Sequence, residues 1–138
     1  MKKMNNKGFS LIELIIVIAI MAILVAIIAP NLTKYLGKSK TKTDQKNLDE
    51  VKQQVQNAIS DASTDEVTVP TKTITIKASG STVSVTNGDG GNFDNILKTV
   101  LKGSNTKSKV DTSKTKISFD ISGSVSSGYE VNNVEFTS

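Results

Sequence analysis

The chain has 138 residues, with 17 lysines against 13 acidic residues and a formal charge of +4, and it lacks arginine, histidine and cysteine altogether. That length suits one domain, or one domain with an appendage. The missing residue types exclude disulfides, thiolate metal sites, thiol nucleophiles and Ser-His-Asp triads. Arginine makes most bidentate phosphate and guanine contacts, so without it a pI near 9.3 points only weakly to nucleic acid.

The first predicted element is an apolar helix. Lys2, Lys3 and Lys7 precede Gly8, and of the 21 residues from Phe9 to Ala29 all but Ser10 and Glu13 are apolar. From Pro30 onward only 30 of 109 residues are apolar, too few to wrap a helix that is apolar all round. At 1.5 Å per residue the stretch measures about 32 Å, close to the hydrocarbon core of a bilayer. Its fourteen Leu, Ile, Val and Phe residues contribute about −6 kcal/mol to insertion. An acid at mid-membrane costs about 2.5–3.5 kcal/mol, and Glu13 lies near one end, where the cost falls. Insertion is favoured, and Glu13, an ionisable group in an apolar helix, becomes a candidate functional residue. Lys34, Lys38, Lys40 and Lys42 follow the stretch, so the lysine count does not set its orientation.

A cleavable secretory signal places its small-residue cleavage site after the apolar run. Here the small residue, Gly8, comes before it. The order Lys7-Gly8-Phe9-Ser10-Leu11-Ile12-Glu13, then sixteen uninterrupted apolar residues from Leu14 to Ala29, then Pro30, resembles the class III signal and N-terminal helix of type IV prepilins and pseudopilins. The resemblance covers roughly Lys2 to Lys40. It implies a leader cut by prepilin peptidase between Gly8 and Phe9, N-methylation of Phe9, and retention of the apolar helix in the membrane and then in a filament. A glycine suits such a cut because its backbone enters a protease cleft easily. The resemblance also implies that Glu13 pairs with the Phe9 amine of the same or an adjacent subunit and sets assembly register. That role accords with the cost of an unpaired buried charge. Pro30 is expected to kink the helix by leaving the Ala26 carbonyl without its donor. Related pilins often carry a mid-segment glycine where this chain has Ala22, and Gly37 is a second weak point.

Beyond Pro30, Leu48, Val51, Val55, Ala58, Ile59 and Ala62 recur at three- and four-residue steps. The helix is therefore expected to continue to about Ser60, through a lysine-rich neck from Lys38 to Lys46. Such a helix, about 78 Å long, is too long to pack entirely on so small a domain. Val67–Val69 and Thr71–Lys77 read as extended, Val83 and Val85 as a second run, with a turn at Gly80-Ser81. Asn92 is the expected N-cap of a short helix bearing Phe93, Ile96, Leu97, Val100 and Leu101 and closed by Gly103. Alternation at Ile117, Phe119 and Ile121, then at Tyr129, Val131, Val134 and Phe136, completes four strands. The expected fold is α+β, a type IV pilin-like lollipop with a long N-terminal helix packed on a small antiparallel sheet and one short extra helix. Family pilins usually pin the C-terminal segment with a disulfide. Without cysteine, the last strand is expected to be held by sheet pairing alone. The Asn87–Asn92 loop lacks the ligand order of a calcium loop and reads as a turn, the Lys34–Lys46 run reads as a solvated helix face, and Asn31-Leu32-Thr33 matches a glycosylation sequon without a role assigned.

The expected organisation is a leader over 1–8, a transmembrane and filament-core helix over 9–30, and a pilin head over 31–138. The resemblance implies a structural subunit, a major pilin, polymerised into an extracellular pilus for adhesion, twitching motility or aggregation. Its implied partners are identical subunits, prepilin peptidase, the membrane assembly platform and, before assembly, the lipid bilayer. No catalytic residue, cofactor, metal or specific nucleic acid is expected. The alternatives are a pseudopilin of a type II secretion or competence machine, and a non-assembling membrane-anchored binding domain. The acidic calcium ligands of the main secretion pseudopilin have no counterpart over Ser122–Gly128. The protein is expected in the cell membrane and then on the cell surface, and its composition suits an AT-rich Gram-positive genome. Loss of residues 1–8 would remove three lysines and leave 14 against 13 acids, so most of the basicity belongs to the expected leader.

Overall fold

A computed structural model describes residues 8–138. The expected leader, apart from Gly8, lies outside the described residues. In chain order the elements are α1 (Leu11–Thr64), β1 (Thr73–Ser79), β2 (Thr82–Thr86), α2 (Asn92–Val100), β3 (Lys116–Ser124) and β4 (Gly128–Thr137). This is the expected α+β class: a long N-terminal helix, a four-stranded antiparallel sheet and one short helix. The chain divides into two units after Ser39.

In the first unit, the large apolar side chains from Leu11 to Ile28 are 47–75% exposed around the whole helix. A helix satisfies its own backbone groups, so this segment is stable in lipid or among other apolar helices but not in water. The helix runs unbroken through Pro30, and the Thr33 hydroxyl donates to the Pro30 carbonyl at 3.0 Å.

In the second unit, α1 buries Val51, Val55, Ala58, Ile59 and Ala62. It ends at Thr64 rather than near Ser60, since Ala62 still belongs to the buried face. The end is a left-handed cap: Glu66 has φ 56°, and the Val67 N–H reaches back to the Ala62 carbonyl at 2.8 Å, the pattern of a Schellman motif. That cap takes Val67–Val69 out of the sheet, where an extended run was expected, although Val69 is buried.

The strands lie in the order β2-β1-β3-β4. β1 starts two residues later than expected. Alternation puts Ile74, Ile76, Ile117, Phe119, Ile121 and Val131 on one face, where Ile74 stands opposite Phe119, Ile76 opposite Ile117 and Ile121 opposite Val131. Such cross-strand pairs are the unit of sheet stability. Together with the α1 face and Phe93, Leu97 and Leu101 they form one core. α2 begins at Asn92, but its cap residue is Gly91 and no side chain caps it directly. Two aspartates act instead: Asp94 accepts from the Asp89 and Gly90 N–H groups, and Asp89 accepts from Gly91 and Asp94. With Gly91 at the cap, Asn92 is already the first residue inside α2, and the N–H groups around the helix start are satisfied by these carboxylates instead.

The last strand is not held by sheet pairing alone. Asn133, at φ 51°, sits where the β3–β4 register shifts, and its amide donates to Asp120 at 2.7 Å. Asp120 also accepts from the Thr73 hydroxyl at 2.5 Å, so one carboxylate ties three strands together. From α1, Gln56 donates to the Tyr129 carbonyl at 3.0 Å. The long connection from α2 to β3 is anchored by Thr106, fully buried, which accepts from the Ala78 N–H and donates to the Thr115 carbonyl. At the β3–β4 hairpin, Gly123 has φ 118°, and a Cβ there would lie 2.1 Å from the Gly128 carbonyl oxygen. We expect Gly123→Ala to lower stability by about 2 kcal/mol or more, measured as a depressed thermal midpoint of the detergent-solubilised chain.

Candidate functional site

The site predicted from sequence comprises Gly8, Phe9, Glu13 and Pro30. Gly8 and Phe9 are exposed ahead of α1, Phe9 at 88%. A Cβ added at Gly8 would meet nothing within 4 Å, so nothing among the described residues demands glycine there.

Glu13 closes a capping box with Ser10. Its Oε2 accepts from the Ser10 N–H at 2.8 Å, while the Ser10 hydroxyl accepts from the Ile12 N–H at 3.3 Å. The first turn of a helix leaves N–H groups without partners, and this reciprocal pair satisfies two of them. The carboxylate also stands at the positive end of the helix dipole. Glu13 therefore has a local role in addition to the one the resemblance implied, and Ser10 is a site residue that the sequence reading passed over. The signal was present: Ser10 and Glu13 are three apart, immediately before an apolar run. Pro30 is not brought to this site. It lies 17 residues along the same helix, about 25 Å away. We expect Ser10→Ala to cost the first turn about 1 kcal/mol, read as roughly fivefold faster amide exchange at Leu11–Glu13 in micelles.

The geometry has a direct chemical consequence. Cleavage between Gly8 and Phe9 would turn the Phe9 amide into a cationic amine one residue from the N–H that Glu13 already accepts. Only Oε2 is engaged among the described residues, so Oε1 remains to take an ammonium. The remaining sequence candidates bring no second site together. Among the described residues no group of three or more His, Cys, Asp or Glu side chains is placed to hold a metal. The Asp89 carboxylate of the Asn87–Asn92 loop and the Asp94 carboxylate of α2 are turned onto N–H groups of the loop and of the first turn of α2.

A further residue is visible only in three dimensions. Asp44 is buried on the lysine-rich stretch of α1, at 7% exposure. It accepts from the Ser108 hydroxyl at 2.5 Å and from the N–H groups of Lys109 and Val110 at 2.6 and 3.1 Å. Burial raises its pKa, but these three donors and the Lys109 charge outweigh burial and hold the carboxyl below its ordinary value.

The profile of the prokaryotic N-terminal methylation motif matches residues 3–29. The chain is 34% identical over 84 residues to prepilin peptidase-dependent protein A of Clostridium perfringens, covering 60% of this chain and 58% of that protein. It is 51% identical over 44 residues to the type IV major pilin protein PilA of Myxococcus xanthus, covering 32% of this chain and 20% of that one. The chain thus spans less than two thirds of either relative. No solved structure matches it. The clostridial relative accords with the Gram-positive composition. The chain thus carries the prokaryotic N-terminal methylation motif at the head of its apolar helix, and over part of its length it is similar to a prepilin peptidase-dependent protein and to a type IV major pilin.

Proposed function

We propose that the chain is a prepilin: prepilin peptidase cuts it between Gly8 and Phe9, Phe9 is N-methylated, and the mature protein polymerises through its N-terminal helix as the major subunit of a surface pilus. The observation that carries this reading is the helix start itself. An exposed Gly8-Phe9 bond stands one turn from a carboxylate aimed at the residue beside it, followed by an apolar helix exposed all round.

Each step has a physical reason. The apolar helix holds the precursor in the bilayer. In a polymer the same surface meets the helices of other subunits, so one segment serves two apolar environments. Burial of Glu13 in that bundle is tolerable only with a cation beside it, and the Phe9 amine supplies one, either in its own subunit or in the next. A kink at Pro30 would ease the packing of neighbouring helices. The major role is favoured by the likeness to a protein named as a major pilin. Adhesion, twitching motility and aggregation are the uses such a fibre would serve.

Imaging the native host tests the polymer. Surface fibres containing this chain, lost on deletion of its gene, support the reading. Loss of protein secretion with no fibres in the parent strain contradicts it and favours a pseudopilin.

A further inference from the structure

The Asn87–Asn92 loop is a turn, but its first two residues carry chemistry that the turn does not use. Asn87-Gly88 is the one place in the chain where asparagine precedes glycine. An asparagine there loses ammonia when the following backbone nitrogen attacks its side-chain carbonyl carbon, provided both groups are unengaged. A successor without a Cβ leaves that nitrogen open.

Both groups are unengaged in the fold. Asn87 is exposed at φ 60°, and among the described residues neither its carboxamide nor the Gly88 N–H has a hydrogen-bond partner. Beyond them the chain is fixed. The Lys72 ammonium donates to the Gly88 carbonyl at 2.6 Å, and Asp94 holds the Asp89 and Gly90 N–H groups.

Two other positions share part of this chemistry and are closed to it. Asp89-Gly90 has the same small successor, and an aspartate can form the same ring. The Gly90 N–H that would attack is donated to Asp94 at 2.9 Å, however, and the Asp89 carboxylate accepts from Gly91 and Asp94. Asn133 shares the left-handed backbone, at φ 51°. Its amide donates to Asp120 at 2.7 Å, and its successor is Val134, whose branched side chain crowds the attacking nitrogen. Nor can Gly88 be exchanged to remove the reactivity, because a Cβ there would strike the Asp94 carboxylate.

We propose that Asn87 is a site of self-modification in the folded protein, with water the only other reactant. The Gly88 nitrogen bonds to the Asn87 Cγ as the Cγ–Nδ2 bond breaks, and its proton leaves with the amide as ammonia. Water then opens the five-membered imide at either carbonyl. Opening at Cγ gives aspartate. Opening at the backbone carbonyl gives isoaspartate, whose chain runs through the side chain and is one methylene longer. Both products add a negative charge to the loop. The longer one also displaces Gly88 from Asp94 and loosens the carboxylate network at the start of α2. The reaction needs no partner subunit and stands apart from the assembly reading.

Incubating the detergent-solubilised full-length chain at neutral pH in water enriched in heavy oxygen tests the site. Peptides are mapped by mass spectrometry after mildly acidic digestion, beside a sample kept unfolded in urea. Asn87 should take up heavy oxygen and accumulate as both aspartate and isoaspartate, at a rate within about threefold of the unfolded chain, because no local opening is required. Asp89 should be slowed roughly tenfold or more by the fold, since its groups must first be released, and Asn133 should remain an amide. Asn87→Gly, which keeps the left-handed backbone, should form no isoaspartate in the loop and hold its thermal midpoint on incubation while that of the wild type falls. An Asn87 slowed as strongly as Asp89 overturns the inference. So does a product that is aspartate alone, which would mean direct hydrolysis of the amide without ring closure.

Discussion

Glu13→Val should leave membrane insertion and Gly8–Phe9 cleavage intact while lowering filament yield by more than a hundredfold. The insertion half follows from transfer energies: replacing an acid by valine makes a segment that already inserts more apolar. The assembly half follows from the partner left behind. Without Glu13 the Phe9 ammonium enters an apolar bundle uncompensated, and breaking a buried pair by removing one member costs about 3–5 kcal/mol, a factor of a hundred or more. The capping box adds a smaller local loss, since the Ser10 N–H loses its acceptor. Glu13→Gln separates the two. It keeps an oxygen for Ser10 but no charge for the amine, so it should preserve the helix start and still assemble poorly. Quantifying sheared fibres against total mature protein reads the effect. A valine variant that assembles normally contradicts the proposed role of Glu13.

Asp44→Asn should destabilise the second unit by about 2–3 kcal/mol at neutral pH. The carboxylate takes three donors, and an amide offers one acceptor oxygen while turning an N–H₂ toward them. The effect should depend on pH in a definite direction. The folded-state pKa of Asp44 is depressed, so the unfolded chain takes up the proton first as pH falls. Its contribution is fully present above the unfolded value, about 3.9, and is lost as pH falls through the lower folded value. Asp89, Asp111 and Asp120 are also depressed, Asp89 against its burial through the Gly91 and Asp94 contacts, Asp111 by Ser113, and Asp120 by Thr73 and Asn133. These three are common to both proteins and largely cancel in the difference. Thermal midpoints of wild type and variant should therefore stand well apart at pH 7 and converge below about pH 4. A gap that is constant with pH would assign the effect to packing rather than to the carboxylate.

What was legible in the sequence was what is local or periodic. Gly8, Phe9 and Glu13 form a linear pattern within six residues, so they could be named without a fold. The apolar face of α1 and the alternation at Ile74, Ile76, Ile117, Phe119 and Ile121 announce themselves by period. Boundaries blurred where local chemistry competed. The Glu66 cap pulled Val67–Val69 away from the sheet, and Gly91 stands at the cap expected of Asn92. Asp44 was illegible because its partners lie 64 to 66 residues away. Within a lysine-rich helical stretch it reads as one more solvated charge. The same holds for Asp120, which joins Thr73 and Asn133 from two other strands. The expectation that β4 would depend on pairing alone failed for that reason. What holds β4 beyond pairing is a set of side-chain hydrogen bonds between residues distant in the chain, and such sets leave no trace in spacing.

Cutting after Gly8, followed by assembly through the helix that begins at Phe9, leaves a chemical record at the mature terminus. Mass spectrometry of the N-terminal peptide of the chain from native cells reads that record. The expected result is a terminus at Phe9 carrying one N-methyl group and no trace of residues 1–8 in the assembled fraction. An intact Met1 on the surface-exposed protein would contradict it.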